Sequence, residues 1–165
     1  MDDPIVQQPT QELAKRVAAL LLERKWTLAV AESCTGGQIG HTLTNLPGSS
    51  AFFEGGVVVY SYEAKTKLLG VTPELLLEHG AVSHAIAYEL ARAVRRLLGT
   101  HVGISATGIA GPSGGTPTKP VGTVYVAVSS PYGDETRRYV WDRDRPGNKE
   151  LSVAAALALV LEQLG

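Results

Sequence analysis

The stretch "AESCTGG", residues 31–37, places a hydroxyl, a thiol and a second hydroxyl ahead of two glycines, directly after the apolar run "TLAV". A strand handing over to a helix has this look, and amides at a helix start lack intrahelical partners and favour negative charge. A serine at that point suits attack on a carbonyl carbon. Ser33 is thus a candidate nucleophile, with amides near Gly36 and Gly37 as candidates to hold the oxyanion. The ordinary alternative is that Ser33 or Thr35 only caps the helix. Cys34 offers a rival thiolate activated by the helix dipole, although a free cysteine is more often a small buried apolar residue. Neighbouring side chains point different ways, so only one of Ser33 and Cys34 faces a ligand.

A serine nucleophile needs a base, and Ser33 stands in neither a G-x-S-x-G elbow nor an S-x-x-K pair. Lys65, in "YSYEAK", fills the role if partial burial lowers its pKa, with Tyr60 and Ser61 beside it to position it or shuttle a proton. Otherwise it is a solvated surface charge. A third segment, "TGIAGPSGG", supplies Thr107 and a run of backbone amides through Gly108, Ala110 and Gly111. It suits close approach to a phosphate or ribose, or else is a surface loop. It matches neither the P-loop nor the dinucleotide fingerprint. Glu32 has no second carboxylate beside it and reads as structural or substrate-orienting. With His41, His79, His84 and His101 scattered and one cysteine, no zinc pattern forms, and neither metal nor cofactor is expected.

These residues need elements to position them. Thr10 is placed to cap a first helix with apolar Leu13, Val17, Leu20 and Leu21 on one face. "TLAVAES" reads as a buried strand ending at Glu32 or Ser33, and "TGGQIGHTLTNL" as a glycine-weakened helix. Residues 57–60 make a second strand and "YEAKTKLLG" a short helix. From Ser83, a plausible N-cap, a helix carries Ile86, Leu90, Val94 and Leu97 to a stop at Gly99. "VGISA" is a third strand, "TVYVAVSS" and "ETRRYVW" a hairpin, and "NKELSVAAALALVLEQL" a largely apolar closing helix. The expected fold is α/β: a three-layer α/β/α sandwich with a mostly parallel, mixed five-stranded sheet. Ligands bind beyond the carboxyl ends of such strands, where "ESCTGG", "YSYEAK" and "TGIAGPSGG" all fall.

The 165 residues fit a single domain spanning 1–165, with residues 1–9 loose. A net charge of −1 gives no reason to expect nucleic acid or a membrane surface as partner. The acidic start is no secretory signal, no apolar run is long enough to span a bilayer, and one cysteine suits a reducing compartment. A cytoplasmic location is expected.

"AESCTGG", "LPGSSAFFEGGVVVYSYEAK", "LLGV", "HGAVS" and "TGIAGPSGG" ahead of "KPVGTVYVAV" together resemble the CinA C-terminal domain family, over about residues 17–161. Its members include bacterial nicotinamide-mononucleotide deamidases. The resemblance implies metal-independent hydrolysis of the nicotinamide carboxamide to nicotinic acid mononucleotide and ammonia, and a homo-oligomer. It also implies Ser33 as nucleophile, Lys65 as base with Tyr60 close by, and Thr107 and Gly108 in a loop facing the nucleotide. Three positions depart from the family's pattern. Tyr62 stands where relatives usually have asparagine, and Lys149 and Val153 where many have arginine. These changes leave open a weak or inactive nucleotide-binding homologue, or an amidase for a related amide. The separate molybdopterin-binding-like domain of larger relatives has no counterpart in these residues, so no pyrophosphatase activity is expected of them.

Overall fold

The structure, a computed structural model, describes residues 3–165. In chain order the elements are α1 (Thr10–Arg24), β1 (Leu28–Glu32), α2 (Gln38–Thr44), β2 (Phe53–Val58), α3 (Tyr62–Leu69), α4 (Pro73–His79) and α5 (His84–Leu98). They continue with β3 (Val102–Gly108), β4 (Thr123–Ser130), β5 (Gly133–Val140) and α6 (Arg145–Leu164). The sheet order is β2-β1-β3-β4-β5. β1 pairs in parallel with β2 and β3, whereas β4 runs antiparallel to both β3 and β5. One reversed strand in five makes the sheet mixed and mostly parallel, as expected.

Alternation along β1 sets the layers. Leu28 and Val30 join the core cluster with Leu13, Val17 and Leu21 of α1 and the apolar run of α6. Ala29 and Ala31 face the other way, against Ile86, Leu90 and Val94 of α5. A strand covered on both faces reads as a continuous apolar run rather than an alternating one. Ile86, Leu90 and Val94 are fully buried at helical spacing. Burial of each such side chain contributes roughly 1.5–3 kcal/mol. α5 lies so close to the sheet that a Cβ on Gly103 would come within 2.2 Å of the Ala91 carbonyl oxygen. The apolarity of α6 is spent inside the chain, since residues 153–161 are all buried against α1 and the sheet.

Several boundaries differ from expectation. Thr10 is the first helical residue rather than the cap, and its hydroxyl donates to Glu150 at 2.8 Å. β2 spans Phe53–Val58, earlier than 57–60. Its glycines look like a break in sequence, yet Gly56 lies so tight against Val30 that a Cβ would sit 2.4 Å from a Val30 methyl. α4 was not expected; Thr72 caps it and Pro73 occupies its first turn. β3 runs on through Thr107 and Gly108, so the glycine loop is confined to residues 109–122. Residues 3–9 form turns that bury Val6, whereas residues 1–2 lie outside the described ones. Ser83 and Gly99 bound α5 as read from the sequence.

Candidate active site

β1, β2 and β3 run parallel, so their carboxyl ends open onto one edge of the sheet. The chain leaves β1 tightly held: the Glu32 carbonyl accepts the Val59 amide at 2.8 Å, and the Ser33 amide donates to Ala106 O at 2.9 Å. Gly36 and Gly37 then adopt positive φ, 61° and 104°, in a turn closed by the Gly36 amide donating to Ser33 O. α2 begins only at Gln38, after the glycines. Its first amides are satisfied from behind. The buried Glu32 carboxylate accepts from Ile39 N at 2.8 Å, Gly40 N at 3.0 Å and the Thr35 hydroxyl at 2.6 Å.

That arrangement decides between the two readings of the hydroxyls. Neither Ser33 nor Thr35 caps the helix, because Glu32 does. Thr35 and Glu32 are committed to each other and to α2. The Gly36 amide, a candidate for the oxyanion, is committed to the turn, whereas the Gly37 amide has no acceptor among the described residues.

Ser33, 7% exposed, is free to meet Lys65, whose Nζ lies 3.0 Å from its Oγ. Ser61 caps α3 by accepting the Ala64 amide, and this sets Lys65 on the helix's buried side, 1% exposed. Nζ also donates to Val59 O at 2.8 Å and Tyr60 O at 3.1 Å. As an ammonium, Lys65 spends its three protons on three acceptors. As an amine, it keeps both carbonyl bonds and turns its lone pair to the serine hydroxyl. Among the described residues it makes no ion pair with a carboxylate. Burial therefore favours the neutral form and lowers its pKa to about 8. At pH 7 about a tenth of the molecules carry the free amine, against roughly 0.03% for an ordinary lysine. The lowering also costs stability, which returns as pH rises from about 8 toward 10.5, where the unfolded chain holds the extra proton.

Cys34 points the other way, into the core beside α1 and α6, and burial pushes its thiol up to about 12. It is no thiolate nucleophile at neutral pH.

The remaining candidates divide. Tyr60 holds Lys65 through its backbone carbonyl, and its exposed phenol instead accepts from Arg145 at 3.1 Å. Thr107 is buried and donates to Ala81 O at 2.8 Å, while the Ala81 amide donates to the Tyr62 phenol at 3.1 Å. Gly108 ends β3 beside Val124. The Ala110 and Gly111 carbonyls accept from Asn148 at 3.0 Å and Arg145 at 2.6 Å. Asn148 and Arg145 were not singled out from the sequence. The signal for them was Asp144-Arg145-Pro146, a cap followed by a first-turn proline, which puts both on the opening of α6. Of the three departures, Val153 is fully buried in the core, and Tyr62 lies along an apolar hollow with Pro73, Leu76 and Leu77. Lys149 alone reaches the site: its Nζ lies 3.8 Å from where a Cβ on Gly36 would be. It makes no ion pair among the described residues, and neighbouring Glu150 is taken by Thr10 and Gln38. With Arg145 and Gln38 it borders a cavity of about 360 Å³.

Residues 10–164 match the model of the CinA C-terminal domain. The chain belongs to that family. It is 50% identical over 157 residues to a CinA-like protein of Chlorobaculum tepidum, covering 92% of this chain and 37% of that protein. With a CinA-like protein of Salinibacter ruber the identity is 53% over 137 residues, covering 83% and 33%. The chain thus spans about a third of the length of these curated relatives. Among solved structures, a CinA superfamily protein from Klebsiella pneumoniae matches with a TM-score of 0.91 and 39% identity, covering 95% of this chain and 98% of that one. A competence or damage-inducible protein from Enterobacter asburiae matches at 0.92 and 34%, covering 96% and 100%. Among the described residues no helix is long and apolar enough to cross a membrane, and no group of three or more His, Cys, Asp or Glu side chains gathers.

Proposed function

We propose that this member of the CinA family is an amidohydrolase that deamidates nicotinamide mononucleotide to nicotinic acid mononucleotide and ammonia. The observation that carries the proposal is the buried 3.0 Å contact between Ser33 Oγ and a Lys65 amine with no carboxylate partner. Ser33 Oγ attacks the carboxamide carbon while its proton passes to Lys65 Nζ. Lys65 returns that proton to the departing nitrogen, which leaves as ammonia, and a Ser33 ester remains. Water, deprotonated by Lys65, then attacks the ester, releasing the carboxylate and restoring the serine. The Gly37 amide is one donor available for the oxyanion, and the Cys34 and Thr35 amides likewise have no acceptor among the described residues.

The substrate's identity comes from the resemblance, and the electrostatics support an anionic one. Arg145 spends two donors on protein acceptors, whereas the Lys149 ammonium has none among the described residues and overhangs the turn that carries Ser33. We assign it to the phosphate. A lysine there holds a phosphate as a point charge rather than through the bidentate fork of arginine. Of the three departures behind the reading as an inactive homologue, Val153 packs in the core, Tyr62 braces Ala81, and Lys149 lies beside the turn that carries Ser33. A cytoplasmic location and self-association belong to the same reading.

The test is ammonia release from nicotinamide mononucleotide by the parent and by Ser33→Ala, both under chelator. Release by the parent and a loss of about 10³-fold or more in the variant supports the proposal. Release that survives the substitution removes Ser33 from the chemistry, and silence from the parent removes the reaction.

A further inference from the structure

The first turn of α6 reaches into the site with two side chains on one face, at positions i and i+3. Asn148, 1% exposed, donates Nδ2 to Ala110 O at 3.0 Å while its Oδ1 accepts the Arg143 amide at 3.0 Å. Arg145 donates one Nη to Gly111 O at 2.6 Å and the other to the Tyr60 phenol at 3.1 Å. Two consecutive carbonyls of the glycine loop are thereby drawn to α6. Only Arg145 reaches on to the segment that carries the base.

Tyr60 is held at both ends. Its phenol accepts from Arg145 and its carbonyl accepts from Lys65 Nζ at 3.1 Å. An unbroken chain of contacts runs from the Gly111 carbonyl through Arg145, Tyr60 and Lys65 to Ser33, each 3.1 Å or less. Tyr60 itself is 61% exposed, so packing alone does not fix its ring. The guanidinium tethers the ring, and it adds a hold on the carbonyl's chain beside the Val59–Glu32 bond on one side and the Ser61 cap on the other.

We propose that Arg145 is a positioning residue: it latches the glycine loop to Tyr60 and so holds the Tyr60 carbonyl where it sets Lys65 against Ser33. It does so without touching the reacting atoms. The consequence for turnover rests on the amidohydrolase reading; the latch itself does not.

The experiment compares the parent with Arg145→Gln, Tyr60→Phe, the double variant and Arg145→Lys. Hydrogen exchange is followed over residues 59–66 and 109–115, and the Lys65 titration through its side-chain carbon shift. Loss of charge-assisted bonds of this kind should raise exchange in both segments about tenfold in Arg145→Gln. Because one contact joins Arg145 to Tyr60, the double variant should exchange no faster than the more affected single one. The Lys65 midpoint, about 8 in the parent, should move toward 10.5 as water reaches Nζ. Turnover should fall while KM changes less, with partial rescue by Arg145→Lys, which keeps the charge but not the fork. Unchanged exchange in either segment, additive effects in the double variant, or an unmoved midpoint would overturn the latch. A parent that releases no ammonia overturns the amidohydrolase reading instead, and the exchange and titration results still decide the latch.

Discussion

Two glycine-bearing connections leave adjacent strands at the same edge of the sheet, and they are fixed in opposite ways. Beyond the Ser33 amide's bond to Ala106 O, the turn at residues 33–37 is held by its own neighbourhood. Glu32, the last residue of β1, takes Thr35, Ile39 and Gly40 in one carboxylate, so every partner lies within eight residues. The loop at residues 109–122 has its outward carbonyls held from a distance. Arg145 and Asn148 take Gly111 and Ala110, and Arg138 donates to Thr118 O at 3.1 Å. Lys119 in turn donates to His79 O at 2.9 Å. A nucleophile needs the first kind of support, because a buried carboxylate with three donors leaves the turn one geometry. A loop that admits a ligand fits the second, where single contacts can be exchanged without unfolding the sheet.

The comparison is broken most severely at Glu32. Glu32→Gln puts an amide NH₂ where a carboxylate oxygen met backbone donors, leaving a buried donor unpaired. A stability loss of about 3 kcal/mol is expected, together with loss of activity, read by denaturant unfolding and ammonia release. Asn148→Ala acts on the distant kind of support. It should cost roughly 1–2 kcal/mol and raise hydrogen exchange locally around Ala110, leaving the 33–37 turn protected. Equal exposure of both connections would erase the distinction. The smallest effect belongs to Cys34→Ala, which trims a thiol from the core. About 1 kcal/mol of stability should go while turnover is retained. Loss of turnover with the fold intact would return the thiol to the mechanism.

The same contrast explains what could be read from the sequence. The layers were legible because burial imposes its period on the chain: Ile86, Leu90 and Val94 recur at helical spacing, and Ser83 and Gly99 mark the ends of α5. Ser33 and Lys65 were legible as residue types at strand ends, though 32 positions apart, because parallel strands bring their carboxyl ends to one edge. What Glu32 does was hidden, since nothing in residue type says that a carboxylate will reach back under its own helix and displace the hydroxyls as the cap. Arg145 and Asn148 were hidden for the complementary reason. Their partners are backbone carbonyls 34 and 38 residues away, and a carbonyl carries no sequence signature. The start of β2 at Phe53 was hidden, because the close packing of Gly56 against Val30 is a property of the paired strand and not of the segment.

The most direct test of the account is the pH dependence of kcat/KM for ammonia release, in the parent and in Lys65→Met. In the proposed mechanism Lys65 acts as the free amine, and burial brings its pKa down to about 8. Below that value the rate should climb about tenfold per pH unit, levelling off above it, and Lys65→Met should lose the activity across the range. A parent profile that is flat between pH 6 and 8, or a Lys65→Met variant that keeps its rate, would contradict a Ser33–Lys65 pair as the catalytic centre.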